Sequence, residues 1–398
     1  KCLMKILYIT YAGILEPLGQ SQVLAYQEKL ATKFEIFLFS YEKPRDLSNT
    51  DLFSSIQKRV FQSNIKWIFH KYHKFPSLFS TFYDLFVGII HCSYLVWRYE
   101  IKIIHARSYP PALIALVLKK LFRIKFLFDM RGFWADERVD GEIWQKDSLI
   151  FKATKALEKS FILNSDHIVS LTHAAVNEID KFPYIDCSLL NITVISTCVD
   201  LEKFSSKAHT SELDTFTLGY LGTVGTWYLF EETVKAFRVM LTLKPNTKIL
   251  IINKGEHDYI QSTLENYQIP AATFKIIAAN HSDVPKLIQT MDAAIFFLKP
   301  FFSKQAAAPT KLGELLASGV PSLTNEGVGD MAKILKESNA GIAIASFEEE
   351  DMQKGVSDLI ALTQEDDIIP KCRRAAERNF ALSDGISDYE KIYNNLLE

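Results

Sequence analysis

The sequence predicts an α/β protein made of two doubly wound, parallel-sheet domains facing each other. Two observations carry that prediction. Short apolar runs alternate with longer amphipathic stretches along the whole chain, and strand–helix–strand alternation implies a parallel sheet covered on both faces. The alternation then restarts near residue 200, so the architecture occurs twice.

The strands expected first are Lys5–Thr10, Glu35–Tyr41, Ile101–Ala106, Lys125–Met130, His167–Thr172 and Ile192–Ser196. Helix-like stretches such as Ser21–Ala31 and Leu149–Leu163 separate most of them. The second set is Phe216–Leu221, Lys248–Asn253, Phe274–Ala278, Ala293–Leu298, Pro321–Thr324 and Gly341–Ala345. Helices are expected over Leu229–Leu241, Val284–Thr290, Thr310–Ala317 and Ala332–Glu337. The join falls near Thr197–Ala208, where the apolar pattern turns polar. A last amphipathic helix, Ile386–Leu397, carries Ile386, Tyr389, Ile392, Tyr393, Leu396 and Leu397 at helical spacing and needs a surface to dock on. In doubly wound sheets ligands bind beyond the carboxyl ends of the strands, so facing domains put the binding crevice between them.

The 398 residues suffice for two or three domains, and 48% of them are hydrophobic. That excludes a disordered chain. The net charge of −2 excludes an obvious whole-chain nucleic-acid binder. The balance hides a split: residues 1–199 hold 25 Lys+Arg against 19 Asp+Glu, and the rest hold 20 against 28. Five cysteines, an odd number without a C-x-x-C pair, make a zinc site or disulfide framework unexpected and fit a reducing cytoplasm. The basic-then-apolar start reads as a first buried strand rather than a secretion signal, with Met4 a candidate natural start.

From Leu52 to Tyr83 there is no acid, but there are Lys58, Arg59, Lys66, Lys71 and Lys74 among Trp67, Phe69, Tyr72, Phe75, Phe79 and Phe82. Cations and rings together suit an anionic membrane interface. The same residues equally suit a helix whose rings pack on the sheet while its lysines are solvated. Leu85–Trp97 is apolar but shorter than the roughly 20 residues of a membrane span, and reads as a buried helix.

Five loops carry candidate chemistry. Tyr11–Ser21 follows the first strand, and Gly13 and Gly19 allow close backbone approach at a helix start that attracts anions. It lacks the G-x-G-x-x-G dinucleotide fingerprint. His105–Ser108 ends a strand; His105 is either a base or a satisfied structural residue, and Arg107 an anion contact. Asp129–Arg138 groups Asp129, Arg131, Asp136, Glu137 and Arg138 around Phe133 and Trp134. Gly222–Thr226 offers glycine and threonine N–H groups to a phosphate, or is an ordinary turn. In Ala308–Glu314, Pro309 suits a first helical turn and Thr310 a cap or anion contact. Lys311 adds charge there, and Glu314 follows at i+3, as a ribose contact or as half of a surface pair. No D-x-D triplet supplies metal ligands, so phosphates would be held by helix ends, Lys and Arg.

The chain resembles the family-4 glycosyltransferases, of the type with two Rossmann-like domains (GT-B), over nearly its whole length. The resemblance rests on Pro17-Leu-Gly-Gln-Ser-Gln-Val23, His105-Ala-Arg-Ser-Tyr109 and Asp129-Met-Arg-Gly-Phe-Trp-Ala-Asp-Glu137. It rests also on Val194-Ile-Ser-Thr-Cys-Val-Asp200, Leu218–Tyr228 and, most specifically, Pro309-Thr-Lys-Leu-Gly-Glu-Leu-Leu-Ala-Ser-Gly-Val-Pro321. It implies an N-terminal acceptor domain over 1–199, a C-terminal donor domain over 200–379 and a helix over 380–398 crossing back to the first domain. It further implies retaining, metal-independent hexosyl transfer from a UDP- or GDP-linked sugar to a lipid-linked or polysaccharide acceptor, with no cofactor.

On that basis Gly13, Gly19, Gly222, Thr223, Thr310, Lys311, Leu312 and Glu314 are expected at the donor. Arg131, Glu137, Asp129 and Lys311 are expected at the reaction centre, and His105, Arg107 and Trp134 on the acceptor side. The expected location is cytoplasmic, or peripheral on the inner face of the cell membrane. Three features depart from the family: Ala306 stands at the first position of its E-x7-E pair, and Gly222–Tyr228 lacks the usual Arg and Lys. The third is the absence of a His beside Asp129–Arg131. A nucleotide-sugar epimerase on the same fold and a catalytically silent partner subunit are the competing readings.

Overall fold

The computed structural model describes residues 3–75, 77–206, 215–280 and 282–397, with the side chains of 77 and 78 excepted. The end of the expected join, 207–208, lies outside the described residues, as do Pro76 of the acid-free segment and the first two and last residues.

The chain divides into two compact units, Lys1–Ile195 with Ser383–Glu398, and Ser196–Leu382. Ser196–Val199, read from sequence as the end of the first domain, go with the second unit. Their backbone explains it: Val199 N–H donates to Phe380 O (2.7 Å) and Leu382 N–H to Val199 O (3.1 Å).

The first unit holds a seven-stranded parallel sheet of β1 (Lys5–Thr10), β2 (Glu35–Glu42), β3 (Lys66–Lys71), β4 (Ile103–Arg107), β5 (Lys125–Asp129), β6 (His167–Ser170) and β7 (Ile192–Val194), in the order 3-2-1-4-5-6-7. The second holds β8 (Phe216–Leu221), β9 (Thr247–Ile252), β10 (Phe274–Ile277), β11 (Ala293–Ile295), β12 (Ser322–Asn325) and β13 (Gly341–Ile344), in the order 10-9-8-11-12-13. Both are Rossmann-like orders. Central strands are buried on both faces, as Lys5–Thr10 shows after its first residue, because crossover helices cover both sides.

β3 is absent from the sequence-based strands. It is the sheet edge, with its two lysines exposed. An edge strand does not need the apolar run that marks a central one, and terminal lysines discourage edge pairing. The acid-free segment therefore does not form one surface. It spans the Thr50–Gln62 helix, β3 and the start of the Ser77–Tyr99 helix, and Arg59 and Lys66 are paired to Glu28 and Glu35. The expected Leu85–Trp97 helix is the rest of that 23-residue helix, and only one of its faces is buried.

The C-terminal helix, Leu382–Asn395, docks within the first unit. Tyr389, Ile392, Tyr393 and Leu396 are buried. The Tyr393 ring meets Phe34 edge-on at 5.2 Å, and Lys33 pairs with Glu390 at 2.7 Å. Each such apolar side chain contributes about 1.5–3 kcal/mol by burial.

Tyr393→Phe removes the hydroxyl that meets His105 Nδ1 at 2.7 Å in the interior. The expected loss is about 1–3 kcal/mol, read as a lower urea midpoint at unchanged slope.

Candidate functional site

In the second unit the chain leaves β8 through Gly222–Thr226 and leaves β11 through Phe296–Leu298. β8 and β11 are neighbours whose onward connections run to opposite sides of the sheet, the arrangement at which doubly wound sheets bind ligands. The β8 loop is held from below. Asn253 Nδ2 donates to Gly222 O and to Glu256 Oε2, each at 2.9 Å, and Val224 N–H donates to Glu256 Oε2 at 3.1 Å. Asn253 Oδ1 in turn accepts from Gly255 N–H and Glu256 N–H. Tyr220 OH donates to Thr223 O at 2.6 Å.

Lys311 enters this loop from the Thr310–Ala317 helix. Its ammonium lies over the rings of Tyr228 (3.7 Å to the centroid), Tyr220 (4.8 Å) and Phe296 (5.3 Å). The side chain is 7% exposed, and Nζ has no hydrogen-bond partner. Gly222 has φ +100°, and a Cβ there would stand 3.2 Å from Lys311 Nζ. Glycine thus serves both the left-handed turn and the approach of the amine.

Glu314, one turn on, makes no hydrogen bond to that amine. Burial brings Lys311 down to about 7, against the pull of Glu314 and Glu256. Burial pushes Glu314 up to about 7, against Lys311 and Lys203. The helix begins with Pro309 in the cap position and no side-chain cap, so Thr310 is its first residue rather than its cap. The Leu312 side chain lies in the apolar core of the unit. Ala306 is buried, and the neighbouring Lys304 lies 3.6 Å over the Trp227 ring.

In the first unit the expected residues meet at the carboxyl ends of β4 and β5. His105 is 1% exposed: Nδ1 faces Tyr393 OH, Nε2 is 3.5 Å from Asp129 Oδ2, and its ring packs on Tyr8 and Tyr389. Tyr389 OH donates to Asp129 Oδ2 at 3.3 Å. Burial holds His105 below its usual range, so the ring is neutral. It anchors the C-terminal helix and is sealed from any acceptor, which is the structural role left open by the sequence. Burial alone would raise the Asp129 carboxyl, but Arg131, His105 and Arg107 hold it below the usual range. Arg131 is 3.9 Å from Asp129 and adopts φ 58°, in the left-handed region. Arg107 Nε has no hydrogen-bond partner. Two guanidinium groups thus share one carboxylate, leaving one positive charge in surplus.

Glu137 is half-buried on the Trp134–Asp140 helix. Trp134 is held between Tyr109 (5.7 Å) and Trp144 (5.3 Å), with Arg138 over it at 4.9 Å. The turn at Gly13 is occupied by the chain's own anion. Glu42, fully buried, accepts from Ile14 N–H (2.9 Å) and Leu15 N–H (3.2 Å), and a Cβ on Gly13 would strike that carboxylate. Gly19 is a packing glycine, since a Cβ there would collide with Gly13 O.

Sequence reasoning missed Glu256 and Asn253, though Asn253-Lys-Gly-Glu256 after a strand carries the asparagine–glycine signature of a tight turn. Among the described residues, no three His, Cys, Asp or Glu side chains gather as a metal site.

Residues 202–379, nearly all of the second unit, match the family model described as Glycosyl transferases group 1. No curated protein matches the sequence significantly. Among solved structures the chain is similar to a glycosyltransferase from Rickettsia africae (14% identity, 100% of this chain and 99% of that one, TM-score 0.72). It is similar also to sucrose-phosphate synthase from Thermosynechococcus elongatus (11%, 99% and 99%, TM-score 0.75). A third is the Anabaena protein HepE in complex with UDP-glucose (13%, 98% and 100%, TM-score 0.67). The fold is that of two-domain GT-B glycosyltransferases, and the second unit matches the group 1 glycosyltransferase model.

Lys311 has a pKa lower in the folded state than its ordinary 10.5. Folding therefore disfavours its charged form; the penalty is complete below pH 7 and fades as pH rises towards 10.5. Lys311→Met is expected to raise the melting temperature at pH 6 by several degrees, about 1–3 kcal/mol. The gain should shrink toward pH 10, which a melting series across pH checks.

Proposed function

We propose that the chain transfers a sugar, with retention and without a metal ion, from a UDP-linked donor to a lipid-linked or polysaccharide glycan. A GDP-linked donor is the alternative within this reading. The observation that carries it is the partnerless Lys311 ammonium beside Gly222. A buried ammonium without an acceptor is costly, and a diphosphate supplies the missing acceptor. Complexes of the HepE neighbour with UDP and with UDP-glucose support the uridine donor.

In this reading Lys311, with the N–H groups of Thr223, Gly225 and Thr310, stabilises the charge that grows on the leaving diphosphate. Glu256 and Asn253 hold the loop in place beforehand. Glu314 accepts hydroxyl protons of the ribose; a carboxylate has lone pairs for two neighbouring hydroxyls. In the first unit Arg131, positioned by Asp129, and Glu137 serve the reaction centre, with Arg107 and Trp134 toward the acceptor. The work is done in the cytoplasm or at the inner face of the membrane.

A thermal-shift screen against UDP, GDP, ADP and their sugars tests the donor. At 100 times its Kd a ligand stabilises the fold by about 2.7 kcal/mol, and the uridine compounds are expected to give the shift. Lys311→Ala and Glu314→Ala are expected to weaken UDP binding, about 100-fold for the lysine. Unchanged binding in both variants refutes the site.

Affinity for UDP should also fall as pH rises above 7, because the free enzyme's Lys311 loses its proton from about there. Titration calorimetry in two buffers should show proton uptake on binding at pH 8. Turnover should survive EDTA, and isomerised donor formed without acceptor would point to an epimerase instead.

A further inference from the structure

The Ser77–Tyr99 helix is fastened to the first unit along one face only. Leu85, Cys92, Leu95 and Val96 are buried, and Tyr41 OH donates to Asp84 O at 2.7 Å. A Cβ on Gly88 would collide with that tyrosine hydroxyl and stand 2.9 Å from Ile114 Cδ1. The helix thus lies close against the core and has no freedom to leave it.

The opposite face is of one chemical kind. Every exposed described side chain between Phe79 and Trp97 is aromatic or isoleucine, including Phe79 (77% exposed), Phe86 (63%) and Trp97 (69%). At about 100° per residue, Phe79, Phe82, Phe86, Ile90, Tyr94 and Trp97 fall within an arc of about 120°, along about 27 Å of helix. Rings of this size expose on the order of 100 Å² each, so the stripe exceeds the roughly 300–600 Å² of an ordinary monomer's largest apolar patch.

Charge selects the occupant. Lys71 and Lys74 are exposed before the helix and Arg98 at its end, and among the described residues none of the three is in an ion pair. The helix's one acid, Asp84, is buried and taken up by His73 and Tyr11. Glu100 and Lys102, one of each sign, follow the helix. A second copy of the chain laid on this stripe would bring cationic ends together in either direction. An anionic bilayer meets them with opposite charge, and phenylalanine, tyrosine and tryptophan suit its interfacial layer.

By length and composition Phe79–Tyr99 would also pass as a membrane-crossing helix. Its fastened face rules that out in this fold. We propose that the outer face of the Ser77–Tyr99 helix docks the protein on an anionic lipid bilayer, rings in the interfacial layer and Lys71, Lys74 and Arg98 among the headgroups. This surface is centred on residues 79–97 and does not depend on the transfer reaction.

The test is co-sedimentation of the full chain with phosphatidylcholine vesicles, with and without phosphatidylglycerol. Binding is expected to the anionic vesicles, to weaken with salt, and to fall at least tenfold in the Phe82→Ser, Phe86→Ser, Trp97→Ser variant. These side chains are exposed, so the variant's melting temperature should stay within about 1–2 °C of the parent. No binding to anionic vesicles at low salt overturns the proposal, and so does undiminished binding by the variant. A dimer in sedimentation equilibrium that the same variant dissolves assigns the face to a second copy instead.

Discussion

Parallel pairing is the constraint on which the rest depends. A parallel strand cannot be joined to its neighbour by a hairpin, so each connection crosses a face of the sheet and returns to the same end. Every loop that leaves a carboxyl end is thereby gathered at one edge. In both sheets the order reverses at the central pair, β1/β4 in one and β8/β11 in the other. His105, Asp129, Arg131 and the Gly222–Thr226 loop lie at or just beyond these ends. Three residues at these ends, Ser108, Arg131 and Thr226, have positive φ of 72°, 58° and 58°. Left-handed conformations cost such residues about 1–3 kcal/mol each, and they survive where the surrounding packing fixes the loop.

The two units treat buried charge differently. In the first, Glu42, Glu158 and Asp129 each accept at least one hydrogen bond, although Asp129 Oδ1 and Arg107 Nε have no hydrogen-bond partner. Glu42 takes the N–H groups of Ile14 and Leu15 and the Ser40 hydroxyl. Glu158 takes Tyr109 OH and Lys155, whose amine also meets Asp136. Asp129 takes Tyr389 OH and faces His105 and Arg131. In the second unit the Lys311 amine has three aromatic faces and no acceptor. Cation–π contacts recover on the order of 0.5–2 kcal/mol each, less than the desolvation of an ammonium. A site built this way favours an anion over any neutral ligand, because only an anion completes the charge.

Much of this was legible in the sequence, and the reason is locality. β1 and β8 are bounded by their own composition, and Lys311 and Glu314 share one short helix whose register is set by 3.6 residues per turn. What was not legible depended on partners distant along the chain. Gly13 looked like a phosphate turn because Glu42, 28 residues on from Ile14, was not visible as its anion. His105 stayed open between a base and a structural residue because Tyr393, 288 residues away, is what closes over it. β3 was hidden because an edge strand with lysines at both ends reads like an amphipathic stretch.

The same point governs the charge split. A surplus of cations in the first half describes the unpaired chain, whereas a surface is what remains after pairing. Arg59 and Lys66, at the centre of the acid-free run, are paired with Glu28 and Glu35 from elsewhere in the unit. Lys71, Lys74 and Arg98, which are in no ion pair among the described residues, flank the aromatic face of the Ser77–Tyr99 helix. Composition therefore pointed to a cationic aromatic surface, but folding moved its centre some twenty residues along the chain. Apolar area without charge would bind any hydrophobic partner, and charge without apolar area would be screened within about 8–10 Å at ordinary salt. Their joint placement on one helix is what gives the surface a chemical preference.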